Sequence, residues 1–449
     1  MLNILIAEYK LLKKFNKFLV LAKKKFSRIL FLHLHVKLTL MTIKIYSTIS
    51  LCIFLFILSS CEKIFPSEPN PNELLDGPIE GLSMEQQLIF LEGDIAFNDL
   101  IFTAETGLGP IFVEKSCGSC HTGDGKGHPS TQLTRFGKME NGVFNHMLDK
   151  GGPQLQNRSI PGYNPENIPN DATGITVFVA PAITGLGFLE SVSDADLLAM
   201  TDPNDGNGDG ISGVVNYVYP PDYFTPASHH ISKNGMYIGR FGKKAGLIDL
   251  LQQTINAAKE DMGVTSDFDM EEPINYAVSA QHIDNVPDPE MSAATVNTIV
   301  FYLRTLKAPI PRNQNDPDVI TGREIFNLIN CAGCHKPSLT TSYSDIDQLS
   351  NVTFYPYTDL LMHDMGPELD DNYTEGTAST SEWKTPALWG LGLSPNAQGG
   401  SYFLMHDGRA RSIEEAILMH GGEAEQSKNN FIALSNKEKH QLLIFLENL

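Results

Sequence analysis

The stretch SCGSCHTGDGKG, residues 116–127, places two cysteines three apart with a histidine directly after the second. The stretch NCAGCHKPSL, residues 330–339, repeats the arrangement. Cysteines at i and i+3 of a helical turn project to one side, as two thioether bonds to a single porphyrin require. The following histidine can then reach the iron as an axial ligand, and CxxCH is the attachment pattern of haem c. Four cysteines could instead hold a zinc. However, Cys120 and Cys331 are 211 residues apart in sequence, and zinc would leave both histidines unexplained. A thioredoxin-like redox motif would need a βαβ setting, which is absent. The residues therefore predict two haem c sites: Cys117, Cys120 and His121, and Cys331, Cys334 and His335.

The other two cysteines, Cys52 and Cys61, lie near the N-terminus. From Met41 the chain reads MTIKIYSTISLCIFLFILSSC, a basic start, a short apolar run and small residues before Cys61. This has the form of an export signal and is too short for a membrane span. Leu58-Ser59-Ser60-Cys61 resembles the lipobox of bacterial lipoproteins, which implies lipidation of Cys61. A plain signal peptide is the alternative. A complete signal at Met41 makes Met41 the expected start, with residues 1–40 as over-translation. Haem c is attached outside the cytoplasm, consistent with export.

Residues 1–61 carry ten Lys/Arg and one acid, leaving 23 basic against 52 acidic residues in the remainder, a net of −29. Such a body repels nucleic acid and tolerates a basic protein partner. Residues 62–82, rich in Pro, Asn and Glu, read as a flexible tether. Ser83 with Gln86 forms a capping-box pair that opens a helix. Further helices are predicted in GLIDLLQQTINAAKEDMG, SAATVNTIVFYLRTL and SNKEKHQLLIFLENL, whose apolar residues recur at helical spacing. Residues 150–235, dense in Gly, Pro, Asn and Asp, predict long connections, and KAPIPRNQNDPD marks a boundary. The fold class is mainly α, with two haem domains at 83–312 and 313–449.

The halves are related by an internal repeat. GPIFVEKSCGSCH (109–121) parallels GREIFNLINCAGCH (322–335), and each CxxCH is expected to follow a short helix. PAITGLGF (181–188) parallels PALWGLGL (386–393), and SDADLLAM (193–200) parallels SIEEAILM (412–419).

Together with both CxxCH motifs, PALWGLGL, LMHDMGPELDD and MHDGRARSIEEAILMHGGEA resemble the bacterial di-haem oxidoreductases. These are distant relatives of the di-haem cytochrome c peroxidases and of the methylamine-utilisation enzymes that oxidise a partner protein. The resemblance covers most of residues 80–449 and implies two cytochrome c-like domains. It also implies an electron-transfer haem with two protein ligands and a reactive haem with an open iron position. In the relatives the second ligand of the C-terminal haem lies near the end of the helix after the HDG turn. It is Met in many peroxidases and Tyr in the protein-oxidising relatives. Fourteen residues after His406 stands His420, which makes that haem bis-histidine and lowers its potential. The repeat places Thr201 where the other half has His420. The N-terminal haem is then expected to be open, with Met200, His128 or His146 as alternative ligands. The relatives use a distal carboxylate to move a proton, and Glu190 is the candidate. Arg409 and Arg411 in the HDG turn are candidate partners of haem propionates. His363 and His406 read as structural or supporting, and Trp383 and Trp389 as core residues or an electron path.

DPNDGNGDGISG (202–213) spaces Asp205, Asn207 and Asp209 as in the first half of a calcium loop. Asn216 stands where an EF-hand places glutamate, and an Asn/Asp-Gly turn is the alternative. The expected function is an exported, lipid-anchored di-haem c oxidoreductase in the cell envelope, outer-membrane, periplasmic or surface-facing. It would reduce hydrogen peroxide or a related oxidant with electrons from a redox partner protein. The alternatives are a non-catalytic di-haem electron carrier and a haem enzyme that oxidises a partner protein or organic substrate.

Overall fold

Ser83 caps the first long helix, α1 (Met84–Asn98). Its hydroxyl accepts from Gln86 N–H while the Gln86 side chain accepts from Ser83 N–H. The computed structural model describes residues 77–278 and 284–449. The export signal, Cys61 and the tether up to residue 76 lie outside the described residues. The end of the expected tether is not free chain. Ile79 N–H donates to Thr305 O, Lys307 N–H donates to Gly77 O, and Ile79 and Leu82 are buried.

After α1 come β1 (Ile111–Phe112), the one-turn helix α2 (Cys117–Cys120), β2 (Leu133–Glu140), β3 (Val143–Asn145), β4 (Arg158–Ser159) and β5 (Gly174–Phe178). Next are α3 (Leu186–Glu190), α4 (Asp194–Met200), β6 (Tyr217–Val218), β7 (Tyr237–Ile238), α5 (Leu250–Met262) and α6 (Ala293–Thr305). The rest of the chain holds α7 (Pro317–Leu328), β8 (Leu339–Thr340), β9 (Thr353–Phe354), β10 (Met362–Asp364), β11 (Glu382–Lys384), α8 (Ser394–Ala397), α9 (Ile413–Leu418), α10 (Glu425–Ala433) and α11 (Asn436–Glu447). Helices α5, α6 and α11 form where the periodicity places them. They are capped by Asp249, Ser292 and Ser435, whose side chains accept from amides in the first turn.

The strands are an addition to the mainly helical expectation. They pair as antiparallel ribbons, β1–β4, β6–β7, β8–β9 and β10–β11, and as one three-stranded sheet in the order β3-β2-β5. Apart from β2 and β5 none exceeds three residues, too short to show alternation in the sequence.

Two helix pairs organise the largest cores. α1 crosses α6, burying Phe90, Phe97, Val296, Ile299, Tyr302 and Leu303. α7 crosses α11, burying Val319, Phe326, Leu442, Phe445 and Leu446. A glycine sits at each crossing. A Cβ on Gly93 would lie 2.5 Å from Thr298 O, and one on Gly322 would lie 2.1 Å from Gln441 O. Four residues after each glycine comes a phenylalanine that meets the crossing helix. Phe97 packs on Tyr302 at 5.6 Å between ring centroids, and Phe326 packs on Phe445 at 5.5 Å.

This corrects the register of the repeat. The partner of Gly322-x-x-x-Phe326 is Gly93-x-x-x-Phe97, not the segment at Gly109. Residues 109–115 do not form a helix; Ile111–Phe112 is a strand paired with Arg158–Ser159. The first half inserts residues 99–116 between its helix and its CxxCH, which hid the match. The GLG blocks align as expected and for a visible reason. A Cβ on Gly187 would lie 2.0 Å from Arg304 O at the end of α6, and one on Gly392 would lie 2.0 Å from Glu447 O at the end of α11. The serine starts also align, since Ser193 caps α4 and Ser412 caps α9.

Candidate active site

Each CxxCH is positioned by a tight turn and one phenylalanine. In the first, Ser116 accepts from Ser119 N–H and the chain closes with His121 N–H donating to Cys117 O. Phe97 lies 5.8 Å from the His121 ring. In the second, Asn330 takes a left-handed conformation with φ 64°, and His335 N–H donates to Cys331 O. Phe326 lies 6.5 Å from the His335 ring. Both motifs open onto one continuous cavity of about 380 Å³. Its wall is largely apolar, including Ile183, Leu189, Ile299, Leu303, Trp383 and Trp389.

Four observations test whether this cavity suits haem. His335 Nδ1 lies 3.0 Å from Tyr357 O and His420 Nδ1 lies 2.7 Å from Ala416 O. Each bond fixes the ring and leaves Nε2 as its free nitrogen. Both rings line the cavity, and they are close enough for His420 to act electrostatically on His335. Burial holds all three histidines neutral, with His121 and His335 pushed down to about 4 and His420 also lowered. His121 Nδ1 is buried without a hydrogen bond of good geometry, although the Pro181 carbonyl partly offsets the drop. The cysteines are equally informative. Burial pushes Cys117, Cys120 and Cys331 up to about 12, which keeps them as thiols. Finally, Lys126, Lys243 and Lys384 line the cavity and offer cations to carboxylates. Burial lowers Lys126 and Lys384 to about 8, and burial together with these two neighbours lowers Lys243 to about 7. Neutral imidazoles, thiols, apolar walls and lysines fit a haem with its two propionates.

The two arginines lie elsewhere. Arg409 is exposed and pairs with Asp407 at 2.7 Å. Arg411 lies over the Phe403 ring at 3.8 Å. Neither reaches the cavity wall. The carboxylate assignment changes as well. Glu190 lies outside the wall; it binds Arg304 Nε at 2.6 Å and accepts from Leu250 N–H at 2.9 Å. Burial would raise it, but the Arg304 charge prevails and holds it below the usual carboxylate range. An ion-paired carboxylate that ties α3 to α6 and caps α5 is not poised to move a proton. Three carboxylates line the wall, Glu114, Asp261 and Glu423; burial pushes Asp261 up to about 6, and Asp261 accepts from Gln154 Nε2 at 2.6 Å. It is near enough to raise both Cys117 and Cys120.

Met200, His128 and His146 are absent from the wall, and α4 contributes no residue to it. Thr201 turns its hydroxyl back to Leu198 O. His363 and His406 do line the cavity. His363 bridges Asp359 at 2.9 Å and Glu423 at 2.8 Å. Burial opposes its charge, but hydrogen bonds to Asp359, Cys334 and Glu423 outweigh that and push it up to about 12. His406 stacks on Trp383 at 3.9 Å and approaches Asp371 at 2.9 Å, while Lys244 covers the opposite side of the tryptophan at 3.6 Å.

The 202–213 loop is closed on itself. Asp205 accepts from Gly210 N–H, Asn207 from Asp209 N–H and Asp209 from Ile211 N–H. Asn216 is buried elsewhere, bonded to the Lys244, Ala245 and Glu375 carbonyls. The loop carries Ile211 against Gly333 of the second CxxCH and Ser212 onto Glu423. Among these features, the wall lysines and Asp261 carry no sequence motif, whereas His363 and Glu423 fall in LMHDMGPELDD and MHDGRARSIEEAILMHGGEA.

The family profile described as "Di-haem oxidoreductase, putative peroxidase" matches residues 169–449, which include the second CxxCH and lie beyond the first. No curated protein matches. Among solved structures, a Kuenenia stuttgartiensis hydrazine synthase pressurised with 20 bar xenon is similar at 14% identity. That match has a TM-score of 0.35 and covers 86% of this chain and 94% of that one. With a match over well more than half its length, the chain belongs to the di-haem oxidoreductase family.

Proposed function

We propose that the protein is an exported di-haem c enzyme, lipid-anchored through Cys61, that reduces hydrogen peroxide at the N-terminal haem with electrons relayed by the C-terminal haem. One observation carries the reading. Both CxxCH motifs wall a single cavity, and His420, just after the repeated helix, lines it near enough to His335 to act on it electrostatically. Cys117, Cys120 and His121 would hold one haem; Cys331, Cys334, His335 and His420 would hold the other. When bound, the haems supply redox-active iron and the electron transfer between the two sites. The chain's own residues do the rest. Tyr357 O and Ala416 O fix the imidazole orientations, Lys126, Lys243 and Lys384 would offer their charges to the propionates, and apolar residues exclude water.

Proton movement falls to Asp261 rather than Glu190, because Asp261 is at the wall and burial pushes it up to about 6. Asp261→Asn is expected to retain both haems and lower peroxide turnover by about 10²-fold. Unchanged turnover would remove Asp261 from the mechanism. The same variant has a stability signature. The folded value lies above the unfolded one, so the contribution is full in acid and is lost as pH rises through about 6. Asp261→Asn should therefore lose less stability than wild type between about pH 4 and 7 in denaturant titrations.

The test of the whole reading is EPR of the oxidised holoprotein before and after peroxide. One high-spin and one low-spin haem, with the high-spin signal responding, is the expected result. Two unresponsive low-spin haems that persist through reduction and reoxidation would overturn it and leave an electron carrier.

A further inference from the structure

Between the end of α5 and the start of α6 the chain gathers carboxylates for which the haem chemistry has no use. One oxygen from each of Glu272, Asp284 and Glu290 lies within 4.8 Å of the others. Thr265 draws in a fourth, its Oγ1 lying 2.6 Å from Glu290 Oε2 and 3.0 Å from Asp288 Oδ1. Lys259, on the neighbouring helix, is engaged with Asp269 and Glu271 instead.

Exposed acidic clusters commonly stay solvated and bind nothing. Asp284 sets this one apart. It is only 6% exposed, and its Oδ2 is buried with no hydrogen-bond donor among the described residues. Its Oδ1 accepts from Val286 N–H at 2.7 Å, and its own N–H donates to Glu272 Oε2 at 3.0 Å. A buried carboxylate oxygen beside other carboxylates is costly unless a positive charge answers it.

We propose that Glu272, Asp284 and Glu290 bind a calcium ion. The donors are all oxygen, with no nitrogen or sulfur, which selects a hard cation. They come from an irregular loop, which suits the flexible coordination of calcium better than the strict octahedron of magnesium. The ion would brace the junction of two helices. Met291 N–H donates to Thr265 O at 3.1 Å, and Ala293 N–H, at the start of α6, donates to Asp267 at 2.6 Å. Met262 of α5 and Ile299 and Leu303 of α6 line the haem cavity, so the site sets the rigidity of the N-terminal wall. The site is separate from the Asp205–Asp209 loop and stands whether or not the peroxidase reading holds.

The experiment uses the exported holoprotein, stripped with chelator and titrated with CaCl₂. Metal is measured by mass spectrometry after desalting, and Tm by circular dichroism. The expected result is about one calcium per chain and a Tm raised by about 5 °C at saturating calcium. Both should be lost in Asp284→Asn and kept in Asp205→Asn. Glu272→Gln, at a more exposed position, is the second variant should Asp284→Asn fail to fold; it should weaken binding at least tenfold. No calcium in wild type, or calcium kept in Glu272→Gln and lost in Asp205→Asn, would overturn the proposal.

Discussion

Gly322→Ala is expected to destabilise the protein by about 1–3 kcal/mol, although alanine is the better helix former. In an unobstructed helix interior the exchange gains up to about 1 kcal/mol. Here the added methyl would lie 2.1 Å from Gln441 O and 2.6 Å from Phe445 Cβ. Neither neighbour is a flexible tip, since one is backbone and the other the root of a fully buried phenylalanine. α7 and α11 must move apart, which loosens Phe326, Phe431, Leu442 and Phe445 together. Because Phe326 also lies against the His335 ring, haem content at the second CxxCH should fall too. Denaturant titration of the holoprotein with a haem assay checks both effects. A neutral or stabilising substitution would mean that the helices do not touch at this glycine. Gly93→Ala should act in the same direction on the first half, where Thr298 O and Tyr302 Cβ stand 2.5 and 2.6 Å away.

Replacing His420 with alanine is expected to convert one of the two haems from low spin to high spin, abolishing most of the low-spin EPR signal. The prediction follows from placement. The backbone carbonyl of Ala416 fixes one nitrogen of the ring, the ring lines the cavity, and burial keeps it neutral and able to ligate. His335 is prepared in the same way by Tyr357 O. Haem content should stay at two per chain, because attachment depends on the cysteines. A low-spin signal unchanged in position and intensity would place the second ligand elsewhere and remove the basis for distinguishing the two haems. His420→Met should keep the haem low spin while raising its potential.

These expectations rest partly on short-range sequence patterns and partly on contacts between distant segments. The sequence by itself determined both CxxCH turns, the serine and aspartate caps, the long helices α5, α6 and α11, and the glycine blocks that meet helix ends. Each of these depends on interactions within about four residues or on a hydrophobic period, so it can be read locally. The repeat was legible in outline, but its register was not. The matching EGDIAF and TGREIF segments are separated from their cysteines by unequal lengths, and only the crossing of α1 with α6 shows that they are equivalent.

The site's charged residues were decided by tertiary structure alone. Glu190 looked free beside its GLG turn, yet Arg304, 114 residues away, claims its carboxylate. Arg409 and Arg411 looked suited to propionates, but their turn faces them outward onto Asp407 and Phe403. Lys126 and Lys243 stand 117 positions apart in sequences with no motif, and folding brings both to one cavity wall. The physical reason is the same in each case. A charged side chain acquires its role from the partner and burial that packing gives it, and neither is encoded within reach of its own segment.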